Sequence, residues 1–418
     1  MNAIIFYEHL TREWNAVQSL KKNLESKGFR VKAYSIIFQR TAAWIDALTH
    51  RPDVIYLPWF VIGKHETLLD PIMKLAPNAV LINQHQEQIT TAGNEHVFYP
   101  VTEATKNACY HLAWGDHFRQ VLLRAGVRDE LIYITGNIRN DAGKADSTMT
   151  KQQLAERYGL DANKKWVLFA ENRGWLLQRN TEATRKDMMA RGVDMADFDE
   201  SIRQTEKALG LLFDDIRSLG DEFGEKFEFI YRPHPGTRID AELPAYAHIL
   251  SDRSIYDWIK NCDLFLTQQS TSIFEAEMCG APCATIDHMG RVPEEAMVGT
   301  MEYPWLTTLR EINDDLIARI TQEQKAREPI YTRFVGQVDG KACDRTVEAT
   351  LEILKAPAAD KIPMERSTVK QNLRQVAFEV ITYIMAKTGL LIKYKFPQSA
   401  YVESRDIPFS PENKWIRG

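Results

Sequence analysis

Residues 262–282 read CDLFLTQQSTSIFEAEMCGAP, and this stretch decides the fold class. The apolar run at 264–267 has the length of a buried strand, and the segment that begins near Ser272 has helical spacing and ends at Gly280. A polar loop joins the two, so the order is strand, loop, helix. This unit is typical of a parallel α/β sheet, in which ligands bind beyond the carboxyl ends of the strands.

The same order of elements recurs in both halves of the chain. The run AIIFYE at 3–8 is followed by an amphipathic helix that ends at Gly28, and further short apolar runs alternate with polar or helical sequence to about residue 140. The pattern restarts at WVLFAENRG (166–174) and again at KFEFIYRPHPG (226–236). We therefore predict an α/β protein of two Rossmann-like domains that face one interdomain cleft.

A polar stretch rich in Lys, Asp and Ser separates the two halves and sets the predicted boundaries. The N-terminal domain covers 1–145, the C-terminal domain covers 146–355, and 356–418 form a helical tail. The tail has apolar residues at helical spacing with basic residues among them. Two interpretations stay open for it: a helix that packs back on the domains, which we favour, or an interfacial helix on an anionic membrane surface.

The composition of the 418 residues excludes several classes of protein. The formal net charge of −5 argues against bulk nucleic-acid binding. Five cysteines without a C-x-x-C pair fit a reducing compartment and disfavour a structural zinc site. The N-terminus lacks the basic start of a signal peptide, and no charge-free window is long enough to span a bilayer. We expect a cytoplasmic protein, with peripheral contact at the inner face of the membrane through the tail as the alternative.

Polar side chains follow the strands of the second half and predict an anion site. Ser270, Thr271 and Ser272 open a helix, where hydroxyls, backbone N–H groups and the helix dipole meet. The motif RPHPG holds a histidine between two prolines that stiffen the loop. Each motif alone is an ordinary cap or turn, but together at neighbouring strand ends they suit a phosphate. The predicted donor-binding residues are Asn172, Arg173, Arg232, His234, Pro235, Gln269, Ser270, Thr271, Ser272 and Glu275.

A run of polar residues also follows the strand AVLI at 79–82, comprising Asn83, Gln84, His85, Gln86, Glu87 and Gln88. Such a run is costly at a buried strand end unless the side chains are used. Either Glu87 or His85 could deprotonate an acceptor hydroxyl, so both are candidate catalytic residues. We predict Glu87 as the catalytic carboxylate, acting as base or nucleophile, and His85 as an orienting or acceptor-binding group. A hydrogen-bonded polar loop is the alternative. Glu8 and His9 follow the first strand in the same way.

These motifs resemble those of GT-B glycosyltransferases of bacterial surface-polysaccharide synthesis, in the group called surface carbohydrate biosynthesis proteins. His234 with Pro235, and then Ser270 with Thr271, are similar to the nucleotide-binding motifs of Kdo, sialic acid and pseudaminic acid transferases. The stretch TREWNAVQSLKKNLESKGF (11–29) is similar to an early helix of the group, with Arg12 and Glu13 in the motif positions. ITGNIRND (134–141) resembles its domain junction, with isoleucine where proline is common.

The resemblance implies a GT-B glycosyltransferase whose first domain binds the acceptor and whose second binds a nucleotide-sugar donor. The implied donor is a CMP-activated ulosonic acid, either Kdo or a nonulosonic acid, whose carboxylate Arg173, Arg232 and Arg238 would suit. The implied acceptor is a glycan or lipid-linked glycan of a capsule, O-antigen or lipopolysaccharide. Glu8, His9, Arg12 and Glu13 are then acceptor-side residues. We expect no cofactor and no metal ion, because no D-x-D follows a strand and Asp214–Asp215 reads as a solvated helix face.

Three alternatives remain. One is a polyol-phosphate transferase resembling CDP-glycerol glycerophosphotransferases, which also carry a His-Pro motif. Another is a UDP-sugar epimerase of the same two-domain fold. The third is a non-catalytic scaffold that binds a nucleotide-sugar or a partner enzyme. Nicotinamide and P-loop enzymes are disfavoured, because no G-x-G-x-x-G follows a strand and no Walker motif is present.

Overall fold

The computed structural model describes most of the chain, namely residues 1–8, 10–146, 149–178, 180–190, 194–234, 237, 239, 241–290, 296–356 and 362–388. The chain divides into two compact units. Unit 1 contains 1–88, 95–142 and the chain from 332 onward, and unit 2 contains 89–94 and 143–331.

The described residues form twelve strands, because short apolar runs rich in Val, Ile, Leu and Phe suit a sheet that is covered on both faces. In chain order they are β1 (Asn2–Tyr7), β2 (Arg30–Ser35), β3 (Val54–Leu57), β4 (Val80–Asn83), β5 (Tyr110–Ala113), β6 (Ile132–Ile134), β7 (Lys165–Ala170), β8 (Phe227–Arg232), β9 (Ala247–Ile249), β10 (Leu264–Thr267), β11 (Cys283–Ile286) and β12 (Trp305–Leu306).

Within the same described residues, seventeen α-helices and four short 3-10 helices connect these strands. The α-helices are α1 (Leu10–Ser26), α2 (Arg40–His50), α3 (Gly63–Leu75), α4 (Glu103–Asn107), α5 (Asp116–Arg124), α6 (Ile138–Asp146), α7 (Lys151–Tyr158), α8 (Trp175–Gln178), α9 (Glu182–Ala190), α10 (Met195–Ser218), α11 (Gly220–Lys226), α12 (Ile255–Ile259), α13 (Ser272–Met278), α14 (Asp314–Ala326), α15 (Tyr331–Val335), α16 (Ala342–Ile353) and α17 (Val369–Lys387). The 3-10 helices are Ala92–Phe98, Asp129–Leu131, Thr300–Glu302 and Leu309–Glu311.

Each unit is built on one sheet of six parallel strands. The order in unit 1 is β2-β1-β3-β4-β5-β6, and the order in unit 2 is β12-β11-β10-β7-β8-β9. The first strand of each unit, β1 or β7, lies inside its sheet. The next strand along the chain pairs on one side of it, and a later strand pairs on its other side. This arrangement creates a switch point between β1 and β3 and another between β7 and β10. Ligands bind outside the carboxyl ends of the strands at such points.

The cores of the units lie against the faces of these sheets. Along β1, Ile5 and Tyr7 belong to one apolar cluster, whereas Ile4 and Phe6 belong to a different one. This alternation follows from the strand period of two residues and means that helices cover both faces. In unit 2, Val167 and Phe169 of β7 pack in one cluster with apolar residues of α10.

The division of the chain differs from the sequence prediction, which assigned 146–355 to the C-terminal domain. Unit 2 ends at Tyr331, and α16 belongs to unit 1. Its side chains Val347 and Ile353 share a buried cluster with Leu24 of α1. The apolar face of α16 was readable from the sequence, but its partner was not, because the two helices are more than 300 residues apart along the chain.

The tail contains helix α17, and this helix packs on α2 of unit 1. The ring of Phe378 stacks on that of Phe38 with centroids 5.8 Å apart. The carboxylate of Glu379 accepts a hydrogen bond from the backbone N–H of Thr41 at 3.0 Å. Residues 357–361 and 389–418 of the predicted tail lie outside the described residues.

We predict that Gly336→Ala destabilises the protein more than Gly340→Ala. Both glycines have left-handed backbone, with φ of +74° and +78°, so both variants carry similar strain of about 1–2 kcal/mol. A Cβ at 336 would also collide with the backbone carbonyl of Trp114 after β5, whereas a Cβ at 340 would meet nothing within 4 Å. Overpacking adds about 1–3 kcal/mol.

Urea unfolding of the two alanine variants measures this difference directly. Equal losses of unfolding free energy would contradict the close packing of the 332–340 segment against the end of β5.

Candidate functional site

The carboxyl ends of three neighbouring strands meet at one edge of the unit 2 sheet. Ala170 at the end of β7 pairs in register with Arg232 of β8 on one side and with Thr267 of β10 on the other. The Thr267 hydroxyl donates to the Ala170 carbonyl at 2.8 Å. Beyond the strands, the amide nitrogen of Asn172 donates to the backbone carbonyl of Gln269. The predicted residues Asn172 and Gln269, which follow β7 and β10, are therefore side by side at the switch point.

The carboxylate of Glu171 ties the end of β7 to the loop after β8. It is buried, and its two oxygens accept hydrogen bonds from the backbone N–H groups of His234, at 3.0 Å, and of Gly174. The imidazole of His234 itself is exposed. The loop of the His-Pro motif is therefore held beside β7, while Pro235 and Arg238 lie outside the described residues.

The Ser-Thr-Ser segment opens α13, but its capping differs from the prediction. The Ser270 hydroxyl accepts from the backbone N–H of Ser272 at 3.3 Å and from its hydroxyl at 2.9 Å. Thr271 stands at the cap position with helical φ and ψ and makes no capping bond. In both contacts Ser270 is the acceptor, so its own hydroxyl proton remains for a further donation. Glu275 lies in the first turn of this helix.

The two described arginines of the predicted site have contacts within the protein. Arg232 donates from its two terminal nitrogens to the backbone carbonyls of Asp252, at 2.9 Å, and Arg253, at 2.7 Å. A terminal nitrogen of Arg173 lies 3.6 Å from a carboxylate oxygen of Asp287, which follows β11. These partners compete with the substrate carboxylate that was expected for both arginines, so that expectation loses support.

Gln268, to which the sequence analysis assigned no role, is the most informative residue of this edge. It follows β10, its side chain is 2 % exposed, and both polar atoms of its amide lack a hydrogen-bond partner. The side-chain oxygen of Asn172 is buried and unpartnered too. A buried polar group without a partner costs about 1–3 kcal/mol, and native proteins keep few of them. A bound ligand would supply the missing partners.

Two hydroxyls near the end of β8 extend this set of polar atoms. The phenol of Tyr231 and the hydroxyl of Thr237 are buried without a hydrogen-bond partner. Burial, with the nearby Glu171 carboxylate, raises the pKa of Tyr231, so the phenol stays protonated and can donate. Asn172, Tyr231, Thr237 and Gln268 lie in or after the last residues of β7, β8 and β10, and we treat these four residues as the candidate ligand site of unit 2.

The expectation that Asp214 and Asp215 form a solvated helix face is wrong for Asp215. It lies in helix α10, but its carboxylate is buried rather than solvated and accepts from His288 Nε2 at 2.9 Å, from the Thr308 hydroxyl at 2.8 Å and from the backbone N–H of Leu309. Although burial acts to raise it, the bonds from His288, Leu309 and Thr308 hold the pKa of Asp215 below its ordinary value. The neighbouring Asp214 is exposed, as predicted for both residues.

In unit 1, two residues of the polar run 83–88 form hydrogen bonds within the sheet edge. Asn83 is buried and donates to the carbonyl of Phe60 at 2.9 Å. The amide of Gln88 reaches the end of β5, where it accepts from the Trp114 N–H at 2.8 Å and donates to the Leu112 carbonyl at 2.9 Å. The alternative interpretation, a hydrogen-bonded polar loop, accounts for these residues.

His85 lies in the core and not at an accessible edge. It is 2 % exposed, and its Nε2 lies 2.8 Å from Nδ1 of His111, which is also buried. Burial lowers the pKa of both imidazoles, to about 4 for His111. His85 has φ of 46°, in the left-handed region that few non-glycine residues adopt, so the chain has left the extended conformation of β4 at this residue. Its position does not support the predicted orienting or catalytic role.

Glu87 is the exposed member of the run. Its side chain is 45 % exposed, and one carboxylate oxygen lies 3.8 Å from a terminal nitrogen of Arg139. The guanidinium of Arg139 in turn lies 5.7 Å from the ring centroid of Trp114. A substrate could reach this carboxylate, and the catalytic role of Glu87 stays a prediction.

The residues predicted on the acceptor side also have structural partners. The carboxylate of Glu13 is fully buried and accepts from the backbone N–H of Glu8 at 2.9 Å, which closes the turn between β1 and α1. The carboxylate of Glu8 accepts from the indole N–H of Trp59 at 3.0 Å. His9 lies outside the described residues, and the side chain of Arg12 is not described.

Two further properties of the described residues bear on function. In the described ranges, no three His, Cys, Asp or Glu side chains are grouped so that they could hold a metal ion. Over those same ranges, no helix combines the length and apolar character that a bilayer crossing requires.

Comparison with known proteins identifies the fold. No family model and no curated protein matches the sequence. Among solved structures, a candidate UDP-N-acetylglucosamine 2-epimerase from Listeria monocytogenes is similar with a TM-score of 0.54 and 12 % identity over 88 % of this chain and 99 % of that one. The UDP-GlcNAc 2-epimerase from Neisseria meningitidis, bound to UDP-GlcNAc, has a TM-score of 0.54 and 13 % identity over 84 % of this chain and all of that one.

A structure of the wall teichoic acid polymerase TagF is similar as well, with a TM-score of 0.52 and 12 % identity over 85 % of this chain and 89 % of that chain. At these identities the likeness defines the fold. The chain is an α/β protein of the GT-B type with two parallel six-stranded sheets, and the expectation of this fold class is confirmed.

We predict that the unfolding free energy falls as the pH drops below about 6.5, the ordinary pKa of histidine. Because the pKa values of His85 and His111 are lowered in the folded state, the unfolded chain binds protons there that the folded chain does not. Each such group removes up to about 1.4 kcal/mol per pH unit below about 6.5, and for His111 this continues to about pH 4.

Urea unfolding from neutral pH to about pH 5 tests this dependence. The double variant His85→Asn/His111→Asn should lose less stability on acidification than the wild type. His96→Asn, at an exposed histidine of the same unit, should keep the wild-type dependence. An unchanged dependence in the double variant would show that other groups are responsible.

Proposed function

We propose that the chain is a glycosyltransferase that uses a nucleotide-activated sugar in the synthesis of a bacterial surface glycan. One observation carries this proposal: the unpartnered buried polar atoms of Gln268 and Asn172 at the switch point between β7 and β10. Ligands bind at this position in sheets of this type. The fold likeness to an epimerase bound to UDP-GlcNAc supports a nucleotide-sugar ligand, and the likeness to a wall teichoic acid polymerase supports a role in surface-glycan synthesis.

The proposed roles follow from the hydrogen-bonding state of each side chain. His234 projects from a loop held by Glu171, and Ser270 keeps a proton to donate, so both would bind the donor phosphate. The amides of Asn172 and Gln268 would bind hydroxyls or the base of the donor. All of these contacts come from N–H, O–H or amide groups of the protein, and the proposed transfer uses no divalent cation.

The finer part of the proposal concerns the two substrates. The sequence resemblance implies a CMP-activated ulosonic acid as donor and a glycan or lipid-linked glycan as acceptor. The second candidates are polyol-phosphate transfer from a CDP-linked donor, for which the His-Pro motif is the support, and UDP-sugar epimerisation, which the fold likeness to the epimerases favours. The intramolecular contacts of Arg173 and Arg232 leave the carboxylate of the donor with weaker support than its phosphate.

A thermal-shift panel of CMP, CDP, UMP, UDP and GDP tests the ligand class. We expect the largest rise in Tm with CMP. A rise with only CDP or only UDP would favour polyol-phosphate transfer or epimerisation respectively. No rise with any of the five would contradict the proposed donor site.

We expect His234→Ala and Ser270→Ala each to weaken binding of the preferred nucleotide roughly 10- to 100-fold, because a charge-assisted bond to phosphate is worth about 1.5–3 kcal/mol. Calorimetry measures the affinity. His96→Ala and Ser201→Ala, at exposed positions with the same chemistry, should leave it unchanged. Wild-type affinity in both site variants would mean that the His-Pro motif is an ordinary turn and that the Ser-Thr-Ser segment is an ordinary helix cap.

Gln268→Leu should raise or preserve the stability of the free protein while it weakens nucleotide binding at least tenfold. The substitution removes a buried amide that has no partner, and such a group costs about 1–3 kcal/mol. Gln324→Leu is the matched control in the same unit. Its amide donates to the Ala281 carbonyl at 2.9 Å and accepts from the Cys283 N–H at 3.2 Å, so that substitution should destabilise the protein and leave affinity unchanged.

Tm and calorimetry on both leucine variants separate the two effects. A destabilised Gln268→Leu protein with wild-type affinity would mean that Gln268 has no role in the ligand site.

Glu87→Gln should reduce turnover about 100-fold or more, the usual scale for a positioned acid–base group, with nucleotide affinity almost unchanged. Glu130→Gln, at an exposed glutamate of the same unit, is the control and should retain full turnover. The measurement is nucleotide release in the presence of acceptor. Full turnover in Glu87→Gln would remove this residue from the mechanism.

A further inference from the structure

Helix α17 is inverted relative to an ordinary surface helix. Its buried side carries Gln375, Glu379 and Thr382, where an amphipathic helix normally places apolar residues. Large apolar residues stand on its outward side with exposed fractions of 49–75 %, namely Val369, Leu373, Val380, Ile381 and Ile384. The spacing of positions 369, 373, 380 and 384 puts them on one face. We name these five residues the α17 stripe.

Contacts with unit 1 hold the helix in this orientation. The carboxylate of Glu379 accepts from the backbone N–H of Thr41, and the amide of Gln375 donates to the Ile37 carbonyl at 3.2 Å and to Glu379. Turning the α17 stripe inward would break these bonds and leave the Thr41 N–H and the Ile37 carbonyl without these partners, which is costly. The stripe therefore remains outward.

The exposed charges of α17 itself are basic. Lys370 and Arg374 of α17 are exposed, while the single acidic residue of the helix, Glu379, is buried on the opposite side. Helix α2, on which α17 packs, exposes Ile45 and Leu48 as well. An exposed apolar stripe beside cations matches the surface of an anionic lipid bilayer, where apolar side chains enter the headgroup boundary and cations meet lipid phosphates.

We propose that the α17 stripe binds an anionic membrane surface and holds unit 1 there. This inference concerns where the protein works and does not depend on which nucleotide unit 2 binds. It would bring an enzyme with a lipid-linked acceptor to the surface that carries that acceptor.

Co-sedimentation of the full chain with vesicles tests this surface. We expect binding to phosphatidylcholine vesicles that contain phosphatidylglycerol, and much weaker binding to pure phosphatidylcholine. Leu373→Ser/Ile384→Ser should reduce binding at least tenfold without lowering Tm, because both side chains are more than half exposed. Lys370→Glu/Arg374→Glu should reduce binding to the anionic vesicles only, roughly fivefold or more per charge.

The control is Val97→Ser/Val101→Ser, which removes apolar side chains of similar exposure, 58 % and 62 %, elsewhere in unit 1. It should bind vesicles like the wild type. The proposal is overturned if the wild type does not sediment with anionic vesicles, or if the Leu373→Ser/Ile384→Ser variant binds normally. It is equally overturned if sedimentation velocity shows a dimer that this variant dissociates, since a second copy of the chain would then cover the stripe.

Discussion

The parallel pairing of β7 with both β8 and β10 is the constraint on which the candidate site depends. Parallel strands cannot be joined by tight turns, so each one returns through a crossover and all carboxyl ends meet at one edge. Because β7 lies inside the sheet, the segments after Ala170, Arg232 and Thr267 emerge side by side although they are far apart in the chain. The buried carboxylate of Glu171 then fixes the loop after β8 against β7.

Both units keep buried polar side-chain atoms without a partner near the carboxyl ends of their strands. In unit 2 these include both amide atoms of Gln268 and the phenol of Tyr231. In unit 1 the amide nitrogen of Gln84, just after β4, is buried and unpartnered as well, although Asn83 and Gln88 are hydrogen-bonded. Stable proteins tend to violate local rules at functional sites, and the doubly unpartnered amide of Gln268 supports the unit 2 edge as a ligand site.

The C-terminal segment shows how much of a unit can come from a distant part of the chain. Helix α16 completes the apolar cluster beside α1, and α17 supplies Gln375 and Glu379 to groups at the start of α2. Unit 1 is therefore assembled from segments that precede and follow unit 2 along the chain. The inverted orientation of α17 is recognisable only from its packing on unit 1, because the spacing of its apolar residues is equally compatible with a core helix.

The sequence by itself determined the α/β class, the strand–loop–helix units and the polar motifs at strand ends, because these follow from local periodicity, caps and turn residues. The tertiary structure decided which of those polar residues face solvent, ligand or core. His85 has left-handed backbone and is buried. Asp215 is buried by its contacts with His288 and Thr308, and the side-chain amide of Gln268 has no hydrogen-bond partner. Burial and hydrogen-bond pairing depend on residues that come together only on folding, so local sequence patterns do not predict them.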